Sequence, residues 1–240
     1  MNLMLKPICF QKADKHLFRN ELKYVCTESE LQQIAMRIQP LCPLDKHVAF
    51  QGTYQIRSVY FDDPQDNSLN QNEAGIDPRE KFRIRIYNAD TSYITLECKH
   101  KEHTMTRKES CRITYEQSLQ IFSNKYYPKE SAAPLLKRFA IEMHARRLQP
   151  KVIVLYERTP FIYSAGNVRI TMDRNISSSS NIDAFFDPYI PSRPIMPVGK
   201  HVLEVKYDAF LPDYLYRIMN LGSLRQTAFS KYALCRKFAL

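Results

Sequence analysis

The stretch Glu80-Lys-Phe-Arg-Ile-Arg-Ile-Tyr87 constrains the fold more than any other. A strand alternates its side chains between two faces, so Arg83 and Arg85 fall on one face and Phe82, Ile84 and Ile86 on the other. One half-buried strand would send those arginines to water, but the same layout recurs along the chain. Phe18-Arg-Asn-Glu-Leu-Lys-Tyr24 aligns Arg19, Glu21 and Lys23, and Ile94-Thr-Leu-Glu-Cys-Lys99 aligns Glu97 and Lys99. Val154-Leu-Tyr-Glu-Arg158 ends in Arg158, Val168-Arg-Ile-Thr-Met-Asp173 aligns Arg169, Thr171 and Asp173, and Val202-Leu-Glu-Val-Lys206 aligns Glu204 and Lys206.

Two architectures accept this pattern. One is an open antiparallel sheet with its charged face in solvent. The other is a closed barrel whose charges point inward and whose apolar outer face is covered by helices. Isolated ions inside such a barrel would cost several kcal/mol each, so they need partners, metal or a bound polyanion. A barrel of this kind is a ligand tunnel.

The 240 residues are 44% hydrophobic, enough to bury a sizeable core. Thirty-five Lys and Arg against 25 Asp and Glu give a net charge of +10. The basic residues are spread through the strands and not gathered in a tail, which points to an anionic partner. No apolar run approaches the roughly 18 residues of a membrane-spanning helix. Residues 1–10 hold no apolar stretch of secretory length. Six cysteines stand far apart at 9, 26, 42, 98, 111 and 235, with no Cys-x-x-Cys pair, which excludes a zinc ribbon or thioredoxin-like motif. They read as reduced thiols, several of them in the core, in a cytoplasmic protein.

In chain order, residues 1–17 read as a lead-in. Thr27 and Glu30 form a capping box that opens a helix running to about Gln39. A strand is expected over 54–61, a loop with at most a short helical turn over 64–79, and a hairpin of strands 80–87 and 93–99. His100 to Glu109 reads as a polar turn before a strand ending near Thr114. His100 and His103, three apart with no third ligand, read as solvated. Helices follow at 115–124 and 131–148, strands at 151–162, 167–173 and 201–207, a surface excursion at 177–199, and closing helices at 212–221 and 227–238. Nothing repeats, and residues 18–240 read as one domain.

Only five glycines occur, and none falls into a nucleotide-binding loop. Side chains must therefore hold any phosphate, and rows of Arg and Lys are suited to it. Glutamates among them suit magnesium or manganese, which prefer oxygen donors. No Ser-His-Asp arrangement or activated cysteine is legible, and phosphoryl transfer needs neither.

Eight pieces in order, Arg19-Asn-Glu-Leu-Lys-Tyr24, Ser58-Val-Tyr-Phe-Asp62, Lys81-Phe-Arg-Ile-Arg85, Leu96-Glu-Cys-Lys99, Glu157-Arg158, Val168-Arg-Ile-Thr-Met-Asp173, Leu203-Glu-Val-Lys206 with Leu211-Pro212, and Phe229-Ser-Lys-Tyr232, together resemble the VTC domain. This is the polyphosphate polymerase domain of the vacuolar transporter chaperone complex. The resemblance implies an α+β fold: an eight-stranded antiparallel β-barrel, the triphosphate tunnel, flanked by helices. It also implies transfer of the γ-phosphoryl group of ATP to inorganic polyphosphate, with Mn2+ or Mg2+ as cofactor.

Residue by residue, the resemblance implies catalytic roles for Lys23 and Lys231. Arg83, Arg85, Lys99, Lys108, Arg158, Lys206 and Ser230 would bind phosphate, and Glu204 with Glu21 would hold the metal. Glu21 and Glu97 have a second reading, as carboxylates that only keep the cations in place. Related triphosphatases carry two glutamates and a lysine at alternate positions of the first strand; Arg19 stands here where the first glutamate would be, which favours the polymerase branch. The partners expected are ATP and polyphosphate, with no nucleic acid. The regulatory domain and membrane helices of the eukaryotic complex are not in this sequence, so transport would need a membrane or transport partner protein encoded elsewhere. A metal-dependent triphosphate hydrolase and a non-catalytic polyphosphate- or nucleotide-binding module are the alternatives.

Overall fold

The computed structural model describes residues 18–46, 48 and 52–238; the expected lead-in at 1–17 lies outside them. Among the described residues the strands are β1 (Arg19–Thr27), β2 (Tyr54–Asp62), β3 (Arg79–Tyr87), β4 (Asp90–Glu102), β5 (Met105–Ile113), β6 (Gln149–Tyr163), β7 (Val168–Ser179), β8 (Arg193–Pro194) and β9 (Lys200–Tyr207). The helices are α1 (Glu28–Ile38), α2 (Asn67–Glu73), α3 (Tyr115–Phe122), α4 (Pro134–Arg146), α5 (Asp213–Met219) and α6 (Lys231–Phe238). Eight strands pair antiparallel in the order β6-β2-β3-β4-β5-β1-β9-β7, and β7 pairs back onto β6. The barrel is closed, with its narrowest seam between β1 and β5, which pair only at Arg19–Thr106 and Asn20–Met105; the two-residue β8 adds outside it on β7.

Local chemistry sets several boundaries. The Thr27 hydroxyl accepts from the Glu30 amide, and the Glu30 carboxylate accepts from the Thr27 amide, so β1 turns directly into α1. Asn88 and Ala89 both take positive φ, and Tyr87 pairs with Asp90 across them. This two-residue turn matches the strand twist, so β4 begins at Asp90 and not at 93.

Three further expectations need correction. Segment 64–79 holds α2, because the Asp62 carboxylate accepts from the Ser68 and Leu69 amides at 2.8 and 3.0 Å and starts the helix. β4 continues through His100 to Glu102, so His100 lies in a strand, where its Nδ1 is 3.1 Å from Glu80. The 177–199 segment is not a surface excursion. Ser177–Ser179 continue β7 against β6, and Phe185 beyond them is fully buried. Arg57, buried on the outer face of β2, donates to the Phe185 and Asp187 carbonyls at 2.7 and 2.6 Å and ties that segment down.

Outward apolar residues are covered in two places. Val59, Phe61, Phe82, Ile84 and Leu96 pack against Leu136, Phe139 and Met143 of α4. Ile170, Met172, Leu203 and Val205 pack against Leu31, Ile34 and Ile38 of α1 and Leu215 of α5. Helix α6 is placed differently: its Tyr232 and Cys235 pack against Ile56, Tyr60, Val154 and Tyr156, which project from the inner face. Among the described residues no helix is long and apolar enough to cross a membrane.

Phe139 is fully buried with its ring 5.1 Å from both Phe61 and Phe82. Phe139→Ala is expected to cost about 3–5 kcal/mol, read as a lowered urea midpoint with unchanged slope.

Candidate functional site

Because the barrel strands alternate, the inner wall collects charged positions from seven of the eight; β2, whose Arg57 points outward, contributes Ser58 and Tyr60 instead. Lys81, Arg83 and Arg85 come from β3, Glu97 and Lys99 from β4, and Lys108 from β5. Glu21 and Lys23 come from β1, Glu204 and Lys206 from β9, Arg158 from β6 and Asp173 from β7, while Lys231 enters from the first turn of α6. Cations outnumber carboxylates, and each carboxylate is shared among several of them.

Glu97 is the partner of three. Arg83 approaches its Oε2 at 2.6 Å through one guanidinium nitrogen and 2.7 Å through Nε, Lys108 lies 2.7 Å from Oε1, and Arg85 is 3.7 Å away. Burial alone would raise the Glu97 carboxyl, but Lys108, Arg83 and Arg85 hold it well below the usual carboxylate range. Arg83 also donates to Tyr60 at 2.7 Å, and Arg85 to Ser58 and Tyr156 at 3.0 and 3.2 Å. Both guanidiniums are fixed before any ligand arrives.

Asp173 receives Arg158 in a two-pronged pair of 2.6 and 2.7 Å and Lys231 at 2.7 Å. Burial opposes the charge on Lys231, but Asp173 and Glu204 outweigh it and raise its pKa, so the ammonium persists at neutral pH. Arg158 also reaches Glu204 at 3.2 Å.

Glu21 and Glu204 face each other across a group of lysines. Lys99 lies 2.7 Å and Lys23 3.4 Å from Glu21, and Lys23 is 3.8 Å from Glu204. Lys206 is 3.3 Å from one and 3.6 Å from the other. Lys23 also donates to the Phe229 carbonyl at 2.9 Å. Lys99 is pulled down to about 7, chiefly by burial, with Glu21 opposing and Lys23 and Lys206 reinforcing. The Ser230 hydroxyl accepts from the Ala233 amide at 3.3 Å, capping α6.

The structure thus brings together every residue to which the sequence assigned a role. It adds Asp173, Tyr60, Tyr156 and Lys81. Lys81 shares a face with Arg83 and Arg85, and Asp173 with Arg169 and Thr171, so period two already carried their signal; the tyrosines carry no charge and gave none.

Among the described residues no three His, Cys, Asp or Glu side chains gather into a metal cage. The Glu21–Glu204 pair nevertheless suits a hard divalent cation. Its Glu21 Oε1 is buried and makes no hydrogen bond, only an ion pair with the Lys206 ammonium at 3.3 Å, looser than the 2.7 Å contact of Lys99 with Oε2, and magnesium-like ions take one or two carboxylates and fill the remaining positions with water and phosphate oxygens.

The sequence matches the VTC domain family over residues 18–240. The chain belongs to the VTC domain family. No curated protein matches it. In fold, this VTC domain is similar to a Hippeastrum protein assigned provisionally as an adenylyl cyclase and described as having a dominant triphosphatase activity, at 12% identity and a TM-score of 0.51, covering 94% of this chain and 97% of that one. It is also similar to a Bacillus halodurans protein assigned provisionally as an adenylate cyclase, at 10% identity and a TM-score of 0.50, covering 84% and 86%. The fold that the resemblance implied, an eight-stranded antiparallel barrel flanked by helices, is the one found.

Glu97→Gln leaves Arg83, Arg85 and Lys108 short of their shared counter-charge. The variant is expected to lose about 3–5 kcal/mol in chemical denaturation. Millimolar inorganic tripolyphosphate should restore more stability to it than to the unsubstituted protein.

Proposed function

We propose that this VTC domain is a polyphosphate polymerase, transferring the γ-phosphoryl group of ATP to inorganic polyphosphate within the barrel. The observation that carries this reading is the fixed, inward-facing set of Arg83, Arg85, Lys99, Lys108 and Arg158, held by buried carboxylates. Such a wall matches a polyanion along several strands, where a nucleotide alone would need fewer cations. Side-chain nucleophiles are poorly supported: burial pushes the thiols of Cys26, Cys98 and Cys235 up to about 12. Phosphoryl transfer needs none, since its transition state is served by positioning and by charge.

In the proposed mechanism the terminal phosphate of the polymer attacks the γ-phosphorus in line with the departing ADP. Arg83, Arg85 and Arg158 clamp phosphate oxygens, while Lys99, Lys108, Lys206 and Ser230 line the track. Lys23 and Lys231 approach the reacting centre from β1 and α6 and offset its charge. Glu204 with Glu21 would hold Mn2+ or Mg2+, which supplies further neutralisation of phosphate charge when bound.

Arg19 supports the polymerase branch over the hydrolases. It is engaged by Asp208 at 2.6 Å, so the wall has an arginine tied aside where triphosphatases have a further carboxylate. The test is incubation of purified protein with ATP and manganese, with separate assays for polymer, ADP and phosphate. Polymer with matching ADP supports the reading. Orthophosphate alone would make the protein a triphosphatase like its Hippeastrum neighbour, and saturable binding without turnover would make it a receptor.

Arg83→Ala and Arg85→Ala are each expected to lower turnover on the order of 10²-fold, and unchanged turnover in both would sink the assignment. A second expectation concerns pH. An anionic ligand favours the ammonium form of Lys99, so binding takes up a proton and affinity falls as pH rises above about 7, by at most about tenfold per unit for this lysine. Lys99→Arg, which stays charged, should flatten that slope in a titration with tripolyphosphate.

A further inference from the structure

Lys81 precedes Arg83 by two residues and therefore projects into the barrel beside it. Its surroundings differ from those of the other inward cations. Lys23, Arg83, Arg85, Lys99, Lys108, Arg158, Lys206 and Lys231 each have a carboxylate oxygen within 4 Å. Among the described residues Lys81 has none. Its ammonium donates to the Asn72 side-chain carbonyl on α2 at 2.6 Å and to the Ser230 hydroxyl at 3.5 Å, and lies 5.1 Å from the centre of the Tyr232 ring. All three partners are neutral.

The charged groups nearest to it make matters worse. Arg79 on its own strand, Lys99 on β4 and Lys23 on β1 all repel it, and burial together with these three lowers it to about 7. Asp62, at the end of β2, is the carboxylate that faces it. That carboxylate is already taken by the Ser68 and Leu69 amides and the Tyr232 hydroxyl. A buried amine supported only by dipoles is an under-compensated charge, and an anion would complete it.

We propose that Lys81 is a further phosphate-binding residue of the tunnel, held between α2 and the start of α6 by Asn72 and Ser230 until the anionic ligand arrives and replaces Asn72 as its partner. The inference rests on the phosphate-binding reading of the tunnel. Because Ser230 precedes Lys231, a phosphate on Lys81 and Ser230 lies against the same helix end that carries Lys231. Lys81 thereby joins the strand wall to α6 through the ligand.

The competing role is structural, a stitch between β3 and α2. Two variants separate them. Lys81→Met removes the charge but keeps the stem, and Lys81→Arg keeps the charge. Binding of inorganic tripolyphosphate is measured by calorimetry at pH 6.5, where the Lys81 ammonium is populated, alongside thermal unfolding without ligand. The expected result is an affinity about tenfold weaker for Lys81→Met, as for loss of one charged hydrogen bond, with most of it regained in Lys81→Arg. Unfolding of Lys81→Met should be unchanged or shifted upward, since an uncompensated buried charge has gone. Unaltered affinity in Lys81→Met overturns the proposal, as does a loss of affinity and melting temperature that Lys81→Arg does not restore. No binding by the unsubstituted protein would remove the tunnel reading itself and this inference with it.

Discussion

Repulsion between like charges inside a closed barrel is the constraint on which this structure depends. Guanidinium and ammonium groups that point inward cannot all reach bulk water, so the barrel supplies negative charge from its own wall. It does so sparingly: Glu97 serves Arg83, Arg85 and Lys108, and Asp173 serves Arg158 and Lys231. The wall still carries an excess of positive charge. Replacing these ions by apolar groups would make a more stable barrel. What the ions give instead is a set of donors already held in place, so that less ordering is needed when an anion binds.

The same constraint explains the helices. An interior given over to charge cannot serve as a core, so the apolar surface must be outside, and α1, α3, α4, α5 and the segment around Phe185 bury it. Helix α6 is the exception because one part of the inner wall, around Ile56, Val154 and Tyr156, is apolar. That patch lets α6 pack against the inside of β6 and bring Lys231 to Asp173. Position and chemistry are linked here: the Tyr232 hydroxyl meets Asp62 at 2.5 Å, and Asp62 in turn starts α2.

Much of this was legible from alternation alone. Period two in six stretches placed Arg83 with Arg85, Glu97 with Lys99 and Glu204 with Lys206 on common faces, and those faces are the inner wall. Alternation could not decide between an open sheet and a closed barrel, because closure lies in the β6–β7 pairing between distant segments. The eight family motifs supplied that. Misread segments were ones whose structure depends on a distant partner. Residues 67–73 look like a polar loop until Asp62 caps them, and the serines at 177–179 look like the start of a surface excursion until β6 pairs with them. Lys81 was in plain view but received no role, since its distinction is the absence of a carboxylate, which only the assembled wall reveals.

The carboxylates also bear on how such a tunnel could discriminate among anions. Each cation here that is paired with Glu97 or Asp173 must share its charge between the carboxylate and any ligand. A single phosphate therefore gains less from each than the count of cations implies. A polyanion lying along several strands engages many such half-satisfied groups at once, and its order is largely fixed by the chain itself. The loss in each contact is then offset by their number. Length, more than the identity of any one group, is what a wall of shared cations would read, and this is the physical argument behind the proposed polymeric substrate.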